Sequence, residues 1–518
     1  MKKLLLGLLL LLFMNKAGAQ SLDMKYVAQV ARKLMDTATV TGLQIGIVEN
    51  GQVSHISSFG YRNKGKKLLN DANTCFYGAS LAKSLFAYLV LQLVDEKKLN
   101  LDTPLFRYLP KPLPAYESYQ QLADDGRYKL ITARMCLSHT TGFPNLRELT
   151  GGKLEIQFAP GTRYAYSGEG LRLLQLVVEA LTGQSLTVLA RERIFKPFKM
   201  SRTDFEWQPS FESDYAVGHR INEDTLAKVR HKVANAAGSM ETTITDYTKF
   251  MAAVMRGEKL SATSWKEMLS PQIRIKSRQQ FAPTDTSGKE ENEKIGLSYG
   301  LGWGLFNSSN GKAFFKEGHI DGWMHYVIAF PERGNAIVVL SNSSNAESIY
   351  KELIEKLTGI TIPWYWENYI PYRANLKLNA TSMRAYQGVY EGRLRAIVSI
   401  HNEHLHIESP TFDLPRTRIH AEGNEKFYMK TMDVKLRFIK DGSGNAVWKY
   451  WKKDFSKYET MKISDLSEDD KKELYMEWVD ILHFFINYAA SIGLDAKTAY
   501  NYYFTKAAEN KARQQRGY

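Results

Sequence analysis

At positions 74–83 the sequence reads Thr74-Cys75-Phe76-Tyr77-Gly78-Ala79-Ser80-Leu81-Ala82-Lys83, and a helical pattern begins at its serine. Apolar residues of the following turns share one face of a predicted helix of about 15 residues: Phe86, Leu89, Val90 and Leu93. A serine in the first turn meets the partial positive charge of the helix terminus and a free backbone NH that can bind an oxyanion. Lys83 lies one turn later on the same face, where partial burial would lower its pKa and let it accept the serine proton. The segment therefore predicts a nucleophilic Ser80 with Lys83 as its base.

A serine and a lysine at this spacing occur on many solvated helices, so two later motifs have to support the prediction. The first, Tyr166-Ser167-Gly168-Glu169-Gly170, follows a Pro160-Gly161-Thr162 turn. A tyrosine on a loop beside an ammonium group can act as a phenolate or as a proton relay, although alone it is better explained as a packed residue with a hydrogen-bonded hydroxyl. The second, Gly318-His319-Ile320-Asp321-Gly322-Trp323, enters a late strand, where the histidine can donate to a substrate carbonyl or carboxylate.

Taken together, the segment around Ser80 and the blocks at 99–110, 137–143, 158–174, 237–240 and 299–303 resemble the beta-lactamase-related serine hydrolases. That family comprises class C beta-lactamases, D,D-peptidases and family VIII esterases, and the resemblance covers residues 25–357. It implies that Ser80 attacks a carbonyl, that Lys83 and Tyr166 move its proton, and that an acyl-enzyme forms and is hydrolysed. It also implies an oxyanion site made by the NH of Ser80 and the NH of Gly322 or Trp323.

The sequence departs from the family pattern at two substrate-holding positions. Gly168 stands where the family usually has the asparagine of Tyr-x-Asn, which holds the acylamino group of a substrate. The segment from His319 to Gly322 stands where the family has Lys-Thr-Gly or His-x-Gly. We expect these changes to weaken beta-lactam hydrolysis more than acyl transfer, which leaves D-amino peptides and esters as equal candidates. A competing hypothesis is a catalytically weak or inactive envelope protein with a binding or sensor role, but such a protein has no reason to keep Ser80, Lys83 and Tyr166.

The arrangement of strand and helix patterns predicts an α+β fold. Strand patterns at 42–48, 52–61, 299–305, 322–330 and 336–340 come from the beginning and the end of a domain, with helices inserted between them. We predict a signal peptide at 1–19, a hydrolase domain at 20–360, an aromatic linker at 361–380 and a small β-barrel-like accessory domain at 381–463, which resembles the lipocalin-like unit often appended to this family. A helical segment is predicted at 464–518.

The N-terminal pattern, the charge and the cysteine content indicate where the protein is located and which kinds of partner it is not expected to bind. Lys2 and Lys3 precede an apolar run and the small residues Ala17-Gly18-Ala19, which indicates export to the periplasm or beyond with cleavage near Ala19. The net charge of +14 is spread among interleaved acidic residues, so no nucleic acid is expected as a partner. No metal site is predicted, since His404 and His406 lack a third ligand. No cofactor and no stable membrane span are predicted either. Two cysteines make no disulfide framework, and the oligomeric state is left open.

Overall fold

The computed structural model describes residues 23–277, 280, 289–360, 376–390, 395–410, 414–423, 425–432, 434–440 and 446–451. The chain divides into two compact units, Met1–Lys453 and Asp454–Tyr518, and every described residue belongs to the first. The predicted signal peptide, most of the predicted linker and the predicted C-terminal helical segment lie outside the described residues, so these boundaries stay predictions.

The main architectural feature is a nine-stranded antiparallel sheet in the order β3-β2-β1-β11-β10-β9-β8-β7-β6. Its strands are β1 (Gly42–Glu49), β2 (Gln52–Asn63), β3 (Leu68–Leu69), β6 (Ile273–Arg274), β7 (Ser298–Tyr299), β8 (Gly304–Ser308), β9 (Gly311–Ile320), β10 (Trp323–Phe330) and β11 (Asn335–Ser341). The earliest strand pairs with the latest, with Ile45 opposite Val339. A sheet closed by the two ends of a domain around inserted helices confirms the predicted α+β fold.

Helices cover both faces of this sheet. They are α1 (Met24–Ala38), α2 (Leu81–Asp95), α3 (Ala133–Leu137), α4 (Gly168–Thr182), α5 (Leu186–Ala190), α6 (Ile244–Met255), α7 (Ala262–Met268), α8 (Lys289–Lys294) and α9 (Glu347–Thr358). Successive residues of β11 enter different cores, with Val338 in the core that contains α2 and Val339 in the core that contains α1 and α9. This alternation follows from the two-residue period of a strand.

The central helix α2 is confirmed at the predicted place, with Ser80 as its N-cap residue. Its side chains are buried on every face from Leu81 to Leu93. A helix that is apolar all round belongs inside a core. Ser80 is thus fixed at the amino end of a rigid, fully packed element.

Two predictions for the late strands need correction. The predicted strand at 299–305 is interrupted, because residues 300–303 form a bend between β7 and β8. Strand β9 was missed, since the sequence pattern placed the motif beginning at Gly318 before the strand at 322–330. In the structure β9 pairs with β10 from Phe314 to Ile320. The charged pair Lys316-Glu317 in the middle of β9 has the pattern of a solvated turn, yet both side chains are buried.

The accessory unit consists of two four-stranded antiparallel sheets, so the barrel-like prediction is refined: the described strands form no closed barrel. A short helix α10 (Ala380–Arg384) precedes β12 (Gly388–Tyr390), β13 (Ala396–His401), β14 (His404–Ser409), β15 (Leu414–Arg418), β16 (His420–Gly423), β17 (Lys426–Met429), β18 (Val434–Lys440) and β19 (Ala446–Trp451). Residues of both sheets, among them Ile407 and Leu436, share one core. Lys430 joins this unit to α9, since its Nζ lies 2.7 Å from a carboxylate oxygen of Glu352.

Candidate active site

The loop before Ser80 is held by backbone contacts on several sides. Strand β4 (Phe76–Tyr77) pairs with β5 (Glu241–Thr242), and the NH of Gly78 donates to the carbonyl of Met240 at 2.7 Å. The ring of buried His325 contacts the carbonyl of Tyr77 at 2.8 Å through Nε2. Ala79 has a φ of +45°, a conformation that costs a residue with a side chain about 1–2 kcal/mol. The surrounding contacts thus impose a strained backbone immediately before the nucleophile.

Lys83 contacts Ser80 directly. Its Nζ lies 2.9 Å from Oγ of Ser80 and donates to the carbonyl of Ala237 at 2.5 Å. Burial lowers the pKa of Lys83 well below its ordinary value, and the nearby charge of Lys316 lowers it further. A neutral amine that still donates to Ala237 keeps its lone pair for the Ser80 proton. The geometry therefore suits Lys83 as a base.

Tyr166 completes the contact around the nucleophile. Its hydroxyl is hydrogen-bonded to Ser80 and accepts from Nζ of Lys316 at 3.0 Å. Burial raises the pKa of Tyr166, and the charge of Lys316 offsets this only in part. A phenol whose pKa is raised stays protonated at neutral pH, so these contacts favour a proton relay over a phenolate.

His139 positions Tyr166. The two rings are 4.2 Å apart between centres, and the NH of Ser167 donates to Nδ1 of His139 at 3.1 Å. Burial lowers the pKa of His139 well below its ordinary value, helped by the charges of Lys316 and Lys83. A neutral imidazole that accepts through Nδ1 gives His139 a structural role at this turn.

Lys316 is the site residue that the sequence pattern did not reveal. It lies on β9, is fully buried, and its Nζ is 2.8 Å from Oε1 of Glu317. Burial alone would lower the pKa of Lys316, but the carboxylate of Glu317, with Tyr166 and Tyr299, raises it well above its ordinary value. Lys316 in turn holds the pKa of Glu317 below its usual range despite burial. The site thus contains one permanently charged lysine, paired with a carboxylate.

A family model described as Beta-lactamase matches residues 27–357 of this sequence. The chain belongs to the beta-lactamase family. Within this family of serine hydrolases, Lys316-Glu317-Gly318 has the Lys-x-Gly pattern, three residues before the predicted position at His319. Gly318 is the residue that could have revealed Lys316 from the sequence, because a glycine is needed where the strand passes close to the nucleophile loop. A Cβ on Gly318 would lie 3.0 Å from the carbonyl of Gly78 and 3.2 Å from the NH of Leu81, so β9 touches the Ser80 loop here.

Curated relatives agree with this membership. Protein flp from Staphylococcus aureus strain MW2 is 25% identical over 338 residues, which cover 61% of this chain and 62% of that protein. The chain therefore spans less than two thirds of the length of the Staphylococcus aureus relatives it matches. Penicillin-binding protein 4 from Amycolatopsis lactamdurans is 25% identical over 349 residues, or 62% of this chain and 87% of that protein.

Solved structures of beta-lactamase-like proteins share the fold. The octameric penicillin-binding protein homologue from Pyrococcus abyssi matches with a TM-score of 0.54 and 18% identity, over 83% of this chain and 96% of its own. A beta-lactamase/D-alanine carboxypeptidase from Pseudomonas syringae matches with a TM-score of 0.51 and 18% identity, over 65% and 98%. At these identities the likeness concerns the fold alone.

The remaining residues that the sequence singled out lie at different distances from this cluster. His319 is half-buried on the face of β9 opposite Gly318, and no described hydrogen bond joins it to Ser80, Lys83 or Tyr166. The NH of Gly322 donates to Oγ of Ser344 at 2.7 Å. Trp323 packs edge-on against Phe76 with 5.7 Å between ring centres. This geometry speaks against Gly322 as an oxyanion donor and points to the backbone of β9 beside Gly318.

Other features of the described residues bear on the sequence predictions. Cys75 and Cys136 are both buried and free. No group of three or more His, Cys, Asp or Glu side chains within the described part of the chain is placed to hold a metal ion. No single described helix is both long and apolar enough to cross a membrane, and only one bent helix pair, Gly168–Thr182 with Leu186–Phe195 at 82°, meets the criteria of length and composition.

Proposed function

We propose that this protein is an exported hydrolase that cleaves amide or ester bonds through an acyl-enzyme on Ser80. The observation that carries the proposal is the contact of a half-buried serine with a buried lysine whose pKa is lowered, inside a family of serine hydrolases. Export rests on the charged, apolar and small-residue pattern of residues 1–19, which lie outside the described residues.

Acylation follows from the two proton-transfer groups. Oγ of Ser80 attacks the substrate carbonyl carbon as its proton passes to the neutral amine of Lys83. The resulting oxyanion is held by the NH of Ser80 at the start of α2 and by a backbone NH of β9 near Gly318. As the C–N or C–O bond breaks, Tyr166 gives its proton to the departing amine or alkoxide and regains one from Lys83. Water then attacks the acyl carbon of the ester on Ser80 and gives a proton to Lys83, which passes a proton to Oγ of Ser80 as the C–O bond breaks and the acid product leaves.

The pairing of Lys316 with Glu317 supports a preference for uncharged leaving groups. A lysine beside the nucleophile can bind a substrate carboxylate, but here a carboxylate of the protein itself lies 2.8 Å from its Nζ. A second carboxylate would be repelled by Glu317 unless that side chain were displaced. Esters and peptide amides without a carboxylate on the leaving group are therefore the favoured substrates, ahead of D-amino peptides with a free carboxyl terminus and of beta-lactams.

Intact-protein mass spectrometry tests the proposal. Incubation with a fluorophosphonate should add one label per chain, and a short-chain p-nitrophenyl ester should be turned over. Ser80→Ala should abolish both, while the melting temperature stays close to that of the wild type because Ser80 makes no capping hydrogen bond to α2. Ser84→Ala, one turn along the same helix, is the matched control and should still label. A wild-type protein that does not label, or a Ser80→Ala variant that does, would contradict the proposal.

A further inference from the structure

A groove lies beside α7, over the strands at one end of the large sheet. Residues opposite one another on β6, β7, β8 and β9 form a single cross-strand row on this face of the sheet: Arg274, Ser298, Leu305 and Phe314. Helix α7 is only seven residues long, so it covers only part of this face. The cavity that remains has a volume of about 470 Å³, which is within the range of sites that bind small molecules.

The floor and one wall of the groove are apolar. Leu305 and Phe314 form the floor and belong to the core that contains α2. Half-buried Trp265 and Leu269, at the end of α7, form the wall. The indole is fixed in place, because its Nε1 donates to the carbonyl of Val254 at 2.7 Å. The groove therefore offers an ordered apolar surface to an alkyl chain.

The rim of the groove is cationic. Lys266 on α7, Arg274 on β6 and Lys312 on β9 line it with exposed side chains, and none of the three forms an ion pair with a described residue. Glu332 supplies the one carboxylate among the described lining residues. Arg274 donates through Nη1 to the carbonyl of Gly296 at 2.7 Å, which holds its guanidinium at the rim. A net positive rim above an apolar floor is complementary to a carboxylate on an apolar chain.

The groove is separate from the catalytic cluster. Ser80 and the residues that contact it do not line the groove. Lys312 and Lys316 share one face of β9, but Phe314 stands between them on that face. The ring of Phe314 packs edge-on against fully buried Trp303, with 4.9 Å between ring centres. A ligand in the groove is thus bound by residues that take no part in acyl transfer.

We propose that this groove binds the carboxylate form of a single-chain fatty acid, with the chain on the apolar floor and the carboxylate at the cationic rim. An inorganic anion would leave the floor uncovered, and a neutral chain would leave the three cations without a partner. The planar fork of Arg274 suits a carboxylate, which can accept two parallel hydrogen bonds from it. This binding site does not depend on the chemistry assigned to Ser80.

Isothermal titration calorimetry with octanoate tests the proposal. Octanoate should bind about 10-fold more tightly than hexanoate, because two more methylene groups are buried. It should bind about 5-fold more tightly than 1-octanol, which has the same chain length without the charge. Higher salt concentration should weaken the binding of octanoate and leave that of 1-octanol unchanged.

Variants of the lining residues locate the ligand. Asn307 is exposed, lines the groove and lies opposite Lys312, so Asn307→Trp should fill the space and abolish binding. Arg274→Gln and Lys312→Gln should each weaken binding about 2- to 5-fold, as expected for exposed charges. Lys33→Gln, which removes an exposed lysine of α1 outside the groove, is the matched control and should keep the wild-type affinity.

A catalytic-site variant separates the groove from the site around Ser80. Ser80→Ala should bind octanoate as the wild type does, and a loss of binding in this variant would assign octanoate to the catalytic site and overturn the proposal. Absence of octanoate binding, or binding no tighter than that of 1-octanol, would also overturn it. If Asn307→Trp does not fold, unchanged affinity in both glutamine variants would do the same.

Discussion

Lys83 and Lys316 approach the ring of Tyr166 from two elements, at 5.1 and 4.9 Å from its centre, and both are almost fully buried. Their pKa values nevertheless move in opposite directions. Lys83 on α2 contacts a hydroxyl and a carbonyl, so burial lowers its pKa, whereas Lys316 on β9 contacts the Glu317 carboxylate, which outweighs burial. In this site, therefore, the partner of a lysine, rather than its depth, decides whether it is a base or a fixed charge.

Replacing Lys83, the proposed base, should have the largest effect of the substitutions considered, and the effect should be on the rate of acylation. Lys83→Met should slow acylation about 10²- to 10⁴-fold, as expected when a proton-transfer group is removed, and Tyr166→Phe should act similarly. Lys83→Arg should not rescue the rate, because a guanidinium stays charged and cannot accept the Ser80 proton. The rate of fluorophosphonate labelling measures this step. An arginine variant as fast as the wild type would show that position 83 supplies a charge and not a base.

Removing the carboxylate partner should destabilise the fold. Glu317→Gln leaves the buried ammonium of Lys316 uncompensated, which should cost about 3–5 kcal/mol of unfolding free energy. The double variant Lys316→Met/Glu317→Met removes both charges and should recover most of that loss. Urea unfolding of the three proteins measures the difference. Equal stability of Glu317→Gln and the wild type would mean that Lys316 does not depend on this carboxylate.

Replacing Glu317 with threonine tests whether its carboxylate excludes substrates that carry a carboxylate of their own. Glu317→Thr places a hydroxyl where the family has the threonine of Lys-Thr-Gly and frees Lys316 to bind a substrate carboxylate. A charge-assisted hydrogen bond of this kind should raise kcat/KM for nitrocefin about 10- to 100-fold relative to a neutral p-nitrophenyl ester. An unchanged ratio would indicate that Glu317 does not repel substrate carboxylates.

The pH dependence of stability should report on His325, which anchors the nucleophile loop. Its Nδ1 accepts from the NH of Ser341 at 3.2 Å, and its Nε2 faces the carbonyl of Tyr77, so the ring is neutral. Burial lowers the pKa of His325 to about 3, against about 6.5 in an unfolded chain. Between these values the unfolded state binds more protons, so unfolding free energy should fall as pH falls from about 6.5 toward 3.

His325→Gln should flatten this dependence. Urea unfolding at several pH values across the window, for the variant and the wild type, provides the comparison. The same slope in both proteins would assign the acid sensitivity to other buried histidines, such as His139.

The parts of the molecule that sequence predicted well depend on local pattern. Helix α2 starts at Ser80 and carries Lys83 one turn later because apolar spacing and the loop at Gly78 are visible along the chain. The contacts between Ser80, Lys83 and Tyr166 likewise follow from motifs that the chain spells out.

What sequence did not predict depends on contacts between distant segments. Lys316-Glu317 has the pattern of a solvated turn until Tyr166 and the sheet bury it. Gly168 looks like a lost amide until Asn145, on a separate loop, fills the space beside it. At Gly168 a residue of another loop lies beside the position where local pattern registers an amide as missing, whereas the lysine expected at His319 stands three residues earlier on the same strand.

Direct observation of the charge of Lys83 and of Lys316 tests the central claim, which is that the pKa values of these two buried lysines shift in opposite directions. NMR titration of protein labelled with ¹³C at lysine Cε, with Lys83→Met and Lys316→Met variants to assign the signals, reports the charge of each amine. We expect the Lys83 amine to lose its proton at a much lower pH than an ordinary lysine, and the Lys316 amine to lose it at a higher pH. Two signals that titrate together near 10.4, the ordinary lysine pKa, would contradict the account.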